Sequence, residues 1–358
     1  MHVATGRGLA KGSPIAGQHS TVGTHSGRYH VPGTHLCMNI RAVVRSAPGK
    51  VILCGEHSVV YGQPALAVPV SSLRAYAHVE PTALGTGCTI RAVDLGQTLP
   101  LRALSREQPL GLIVTLVLEA LQVPEPDLEL DLTSDLPVGG GMGSSAAVAA
   151  AAIQALGSAL GREFTPAEVS AMTYEVERLH HGTPSGIDNT VIAWEKAIFF
   201  IRGQPPEPLN VVTPVILLIA DTGVAASTRH AVELVHRRLE QSPHKVRSIL
   251  NHMGELAHQA RTALERGQLK ELGKLMNQNQ SLLAELGVSH PRLDALVQAA
   301  RDAGALGAKL TGAGLGGNMI ALVEKKTLSA VRAALNEAGA KAVWQTAIEA
   351  NPQHDRDS

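Results

Sequence analysis

Apolar positions fall into two regimes along the chain. Up to about residue 132 they come in short alternating or continuous runs separated by Pro and Gly, the period-2 signature of strands. Runs at 40–46, 51–54, 64–70, 73–80, 88–93 and 127–132 predict strands, and 110–122 predicts a helix. An Ala-rich stretch over 144–160 has high helix propensity. A further helix opens at Thr165-Pro166, where Thr caps and Pro fits the first turn. In the second half a strand at 214–220 precedes helices over 228–240, 244–266, 268–286 and 291–303. A Gly-rich loop at 311–317, a strand at 318–323, a helix at 327–338 and a strand at 342–345 complete the pattern. The order predicts an α+β protein of two lobes, 39–205 and 206–350, joined where QPPEPLN reads as a linker. The sequence has no internal repeat.

Residues 1–38 lack either period and are rich in Gly, Ser, Thr and His. They read as a disordered extension, as does the tail at 351–358. His2, His19, His25, His30 and His35 are too irregularly spaced, and too poor in acidic partners, for a metal site. Met38 stands just before the first patterned run and is an alternative start.

Composition narrows the function. Basic and acidic side chains balance at 31 each, and Phe, Tyr and Trp make up 3% of residues. Neither a nucleic-acid surface nor an aromatic stacking platform is indicated. Cys37, Cys54 and Cys88 form no CxxC pair, which argues against a disulfide framework or zinc ribbon and for a reducing cytoplasmic setting. The longest wholly apolar run, 215–220, is far short of the ~20 residues of a membrane span.

Four Gly-punctuated segments carry the candidate chemistry. Ser134-Asp-Leu-Pro-Val-Gly-Gly-Gly-Met-Gly-Ser-Ser145 opens directly into the Ala-rich helix. Its glycines let backbone approach a ligand, and the helix start offers unpaired N–H groups and a positive dipole end suited to phosphate. The spacing matches neither GxxxxGK[ST] nor GxGxxG. Ala47-Pro-Gly-Lys-Val-Ile-Leu-Cys-Gly-Glu-His-Ser-Val-Val-Tyr-Gly62 sets Lys50, Glu56 and His57 around a short strand, with Lys50 and Glu56 on one side if that strand is continuous. In Glu177-Arg-Leu-His-His-Gly-Thr-Pro-Ser-Gly-Ile-Asp-Asn189, one carboxylate can hold Mg²⁺ and another can take or orient a hydroxyl proton. His180 and His181 diverge by about 100° on a helix and read as packing residues. Lys309-Leu-Thr-Gly-Ala-Gly-Leu-Gly-Gly-Asn318 permits close approach to a second loop or a phosphate.

Together these segments resemble the GHMP small-molecule kinases. PGKVILCGEHSVVYG, PVGGGMGSSAA and KLTGAGLGGN are similar to that family's three motifs, and HGTPSGIDN points to its mevalonate-phosphorylating branch. The resemblance covers about residues 41–346. It implies an N-terminal lobe like ribosomal protein S5 domain 2, a C-terminal ferredoxin-like α/β lobe, and an ATP cleft between them. It implies that Asp188 is the catalytic carboxylate, with Lys50 beside it stabilising the developing alkoxide and the transferred phosphoryl. Ser145 and Glu177 would hold Mg²⁺, while Ser134, Pro137, Gly139, Gly140, Gly141, Met142, Gly143, Ser144 and Ser145 would surround ATP. Glu56, His57, Ser185, Asp188, Thr228 and Gly314 would face mevalonate. Ala226 stands where relatives often carry a basic residue, and GGGMG replaces the usual GxGLG. A homodimer follows from family analogy alone. The competing readings are a phosphomevalonate kinase, galactokinase or homoserine kinase, and, from another class, a non-catalytic ligand-binding regulator.

Overall fold

The computed structural model describes residues 39–137, 139–181 and 184–350. The expected extension and tail, the early histidines, Cys37 and the side chains of His180 and His181 lie outside the described residues.

Strand β1 (Val43–Cys54) joins the predicted runs at 40–46 and 51–54, and β2 (Ala65–Pro81) joins those at 64–70 and 73–80. Pro48, between the first two runs, had suggested a break. The chain tolerates it because the antiparallel β1–β2 register shifts between Pro48 and Gly49, which leaves residues 71–73 of β2 unmatched. Strands β3 (Cys88–Ala92), β4 (Gln97–Pro100), β5 (Leu128–Ser134), β6 (Ile198–Phe200) and β7 (Glu207–Pro208) complete a seven-stranded sheet of order β4-β3-β5-β2-β6-β7, with β1 also on β2. The stretch read as a linker thus supplies a short edge strand, antiparallel to β6, with Leu209 and Val211 buried behind it.

Helix α1 (Pro109–Leu121) packs on helix α2 (Ser144–Ala159), which itself packs against this sheet. Eleven α2 residues are buried, mostly Ala, so the helix backbone lies close to β1 and β2. Helix α3 (Pro166–His181) and the short helix α4 (Ile187–Trp194) follow, α4 being absent from the sequence expectation. Glu168 receives hydrogen bonds from Thr165 N and Oγ1 and Thr165 Oγ1 accepts from Glu168 N, a reciprocal cap at the expected α3 start.

The second sheet, order β11-β8-β10-β9, is antiparallel throughout: β8 (Val215–Asp221), β9 (Gly307–Leu310), β10 (Asn318–Val323) and β11 (Ala342–Ile348). Helices α5 (Thr228–Gln241), α6 (Pro243–Glu265), α7 (Leu269–Glu285), α8 (Pro291–Asp302) and α9 (Leu328–Glu337) accompany it. One apolar cluster runs from β1, β2 and α2 through Leu217 and Ile219 of β8 to Leu256 and Leu264 of α6, so the two sheets share a core. The edge strand β9 is covered by α7, where Asn277 Oδ1 accepts from Ala308 N (2.9 Å) and Gln280 Oε1 from Leu310 N (2.8 Å).

Candidate active site

The loop before α2 is shaped by its neighbours. Gly139, Gly141 and Gly143 have φ of 75°, 74° and 72°, which only glycine adopts without strain. Three successive carbonyls are taken up: Asn318 Nδ2 donates to Gly140 O (2.6 Å), Lys50 Nζ to Gly141 O (3.0 Å) and Lys50 N to Met142 O (3.0 Å). Helix α2 begins at Ser144 with no side-chain cap, so its first-turn N–H groups remain available to an anion. Residues of this loop line a cavity of about 700 Å³. Its other walls are apolar at Pro109, Leu110, Ile113 and Val148, and its mouth includes Asp94 and Leu95. Ser134, Pro137, Gly139, Gly140, Gly141, Gly143, Ser144 and Ser145 all line it. Met142 does not; its side chain is buried in the core, and only its carbonyl serves the loop.

A second cavity, about 370 Å³, adjoins the first. Gly141, Glu177, Asp188, Thr228 and Arg229 line both, and so mark the junction. Asp188 comes from the first turn of α4, where the positive end of the helix dipole favours negative charge. The helix is aimed by Gly186 at φ 92° and by Asn189, whose Nδ2 donates to Ser170 O (3.1 Å) and Oγ (2.8 Å) on α3. Lys50 Nζ lies 3.1 Å from Asp188 Oδ1, with side-chain exposures of 4% and 31%. Ser145 Oγ donates to Glu177 Oε1 at 2.6 Å, coupling the α2 start to α3.

Lys50, Glu56, His57 and Ser185 line the second cavity. β1 ends at Cys54, so Glu56 and His57 sit in the following turn rather than on a continuous strand. His57 is held at φ 60° and ψ −48°, a positive-φ conformation rare for a non-glycine residue. Its Nε2 lies 2.8 Å from the Ala313 carbonyl and must carry the proton there, which leaves Nδ1 as an acceptor. Burial, the largest cause, holds its pKa below that of a free imidazole. Gly314 lines neither cavity, because its Cα packs against the Val288 carbonyl. Lys309 was seen only as the first residue of the fourth segment, Asn279 was not singled out, and Arg229 entered only within Ser227-Thr228-Arg229, a stretch that resembles the family's substrate side. The first two bind Glu56 across long sequence separations, and their one local trace is the polar run MNQNQ at 276–280 inside an otherwise amphipathic helix.

Two family models match, GHMP kinases N terminal domain over residues 110–196 and GHMP kinases C terminal over 260–341. The mevalonate kinase of Thermococcus sibiricus is 39% identical over 321 residues, covering 83% of this chain and 93% of the relative. The chain belongs to the GHMP kinases. Within this family it is also 39% identical to the mevalonate kinase of Pyrococcus abyssi, over 80% of this chain and 90% of that one. The structure of L. major mevalonate kinase in complex with R-mevalonate superposes with a TM-score of 0.76 at 29% identity, covering 88% of this chain and 98% of that one. Methanococcus jannaschii mevalonate kinase, at 23% identity and TM-score 0.76 over 87% and 99% of the two chains, shares the fold. The chain is an ATP-dependent kinase with the two-sheet α+β architecture of that family.

Proposed function

We propose that this GHMP kinase transfers the γ-phosphoryl of ATP to the primary hydroxyl of (R)-mevalonate, giving 5-phosphomevalonate for isoprenoid precursor synthesis. The observation that carries the reading is the Lys50–Asp188 pair at the junction of a nucleotide-sized cavity and a smaller one. Phosphoryl transfer passes through a loose transition state, so positioning and charge do most of the work. In this reading the Gly139–Ser145 loop and the uncapped start of α2 hold the triphosphate in the larger cavity. The acceptor occupies the smaller one beside His57 and Ser185. Asp188 orients its hydroxyl and accepts the proton, and Lys50 lies where negative charge develops.

The donor set suits Mg²⁺. Glu177, at the junction, and Ser145, in the larger cavity, offer hard oxygens 2.6 Å apart. Among the described residues no cluster of three His, Cys, Asp or Glu side chains converges on one point, which fits an ion completed by substrate phosphates and water. When bound, that ion neutralises phosphate charge. Arg229 is the one Lys or Arg among the described residues that lines both cavities, and it makes no ion pair among them. We assign it to the acceptor carboxylate, taking the place of the basic residue that Ala226 lacks. Homodimerisation and a cytoplasmic setting belong to the same proposal; among the described residues no helix is long and apolar enough to cross a membrane.

An ADP-release assay with mevalonate, phosphomevalonate, galactose and homoserine side by side tests the reading. Turnover with mevalonate is expected. Turnover with phosphomevalonate but not mevalonate would reassign the acceptor, and none with any of them would favour a binding protein.

A further inference from the structure

The Gly-rich segment 309–318 is expected from its composition to lie against a phosphate or another loop. Gly312, Gly317 and Asn318 do meet the 139–143 loop, and the rest of the segment reaches toward the acceptor side. Lys309, on β9, is wholly buried and forms an ion pair with Glu56, itself 1% exposed. Lys309 Nζ also donates to Leu310 O (2.6 Å) and Ile52 O (3.4 Å). The other carboxylate oxygen of Glu56, Oε2, accepts from Asn279 Nδ2 on α7 (2.9 Å). Both oxygens are therefore engaged by protein. Two residues further along, Thr311 Oγ1 accepts from Ile52 N (2.9 Å), and Ala313 O receives the His57 ring proton (2.8 Å). Four of these contacts fasten residues 52–57 to residues 309–313 across more than 250 positions of sequence.

A buried ion pair is a poor device for stability alone, because desolvation of both charges offsets their attraction and apolar residues of similar size do as well or better. What such a pair supplies is fixed geometry. Here the geometry concerns a turn in which His57 adopts a conformation that its own backbone disfavours.

We propose that Lys309 is a positioning residue for the acceptor pocket: through Glu56, seconded by Asn279, it holds the 55–58 turn so that His57 presents its free Nδ1 to the acceptor. Glu56 then acts as a bracket within the wall and not as a ligand for the substrate. The inference rests on the acceptor-pocket reading above, yet the position of His57 can be followed without any substrate.

The test uses Lys309→Met and Asn279→Ala in the full chain, with Val323→Ala, a buried position at the far end of β10, as a control for lost packing. The acceptor KM is expected to rise at least ~10-fold in Lys309→Met and by a smaller factor in Asn279→Ala, while the ATP KM stays within about 2-fold. Val323→Ala is expected to lower Tm and leave both KM values at wild type. Without substrate, the His57 ring N–H resonance should shift or broaden in the first two variants and stay in place in the third. If Lys309→Met does not fold, Asn279→Ala carries the comparison. An unchanged acceptor KM with an unmoved His57 signal in folded variants overturns the proposal, as does an equal KM shift in Val323→Ala. A moved His57 signal in a protein that turns over no mevalonate would sustain the positioning role and discard the acceptor reading.

Discussion

Lys50 Nζ sits 3.1 Å from Asp188 Oδ1 and 3.0 Å from the carbonyl of Gly141, so one ammonium ties the start of α4 to the Gly-rich loop before α2. Lys50 therefore bridges two elements, the first turn of α4, itself aimed by Gly186 and Asn189, and the loop before α2.

Asp188→Asn keeps the side-chain shape and removes the charge. The expected result is a fall in kcat of ~10²-fold or more with both KM values little changed, as for loss of a general base. Steady-state kinetics decides; near wild-type turnover would take Asp188 out of the mechanism.

Glu177→Gln preserves an acceptor for Ser145 and withdraws a negative charge. The Mg²⁺ concentration for half-maximal rate should rise ~10-fold or more, with kcat largely recovered at saturating metal. A metal titration with an unchanged midpoint would place the ion elsewhere.

Arg229 occupies the first turn of α5, the end of a helix where a cation is unfavourable, and no acidic residue accompanies it there. Arg229→Gln should leave Tm unchanged or slightly higher while raising the acceptor KM ~10-fold or more, the size of one charge-assisted hydrogen bond. A parallel loss in kcat with KM intact would assign the guanidinium to the transferred phosphoryl instead.

His57 titrates below 6.5 in the folded protein because it is buried. As pH falls the unfolded chain takes the proton first, so this contribution to stability is complete above 6.5 and drains away as pH drops through the folded value. Thermal melts at stepped pH should show a shallower acid-side decline in His57→Gln than in wild type.

Burial pushes the thiols of Cys54 and Cys88 up to about 12. In a Cys37→Ser background neither should label with a thiol reagent at neutral pH until the protein unfolds. Rapid labelling of the native protein would contradict the packing of β1 or β3.

Much of the site could be read along the chain because its pieces are local. The loop at 134–145 announces itself by glycine spacing ahead of an Ala-rich helix, and Asp188 by a glycine- and proline-punctuated turn. Strand lengths were less legible. Pro48 looks like a break, yet the offset in pairing between β1 and β2 accommodates it. Helix α4, at eight residues, is too short to show a period, and four-residue β9 lay hidden inside what reads as a loop. Lys309 and Asn279 were invisible as partners of Glu56 because nothing local marks a contact made across 253 or 223 residues. Met142 shows the converse: its neighbours are exposed to the cavity, but its side chain is drawn into the core.

The three tethered carbonyls of Gly140, Gly141 and Met142 have one more consequence. Their donors are Asn318 of the second sheet and Lys50 of the first, so the Gly-rich loop keeps its shape only while both halves of the molecule are folded together. A nucleotide that binds this loop therefore selects against partial as well as complete opening. Saturating ATP should protect cleavage sites throughout residues 39–350 from proteolysis by a common factor, including sites on α8 and α9 remote from the cavity.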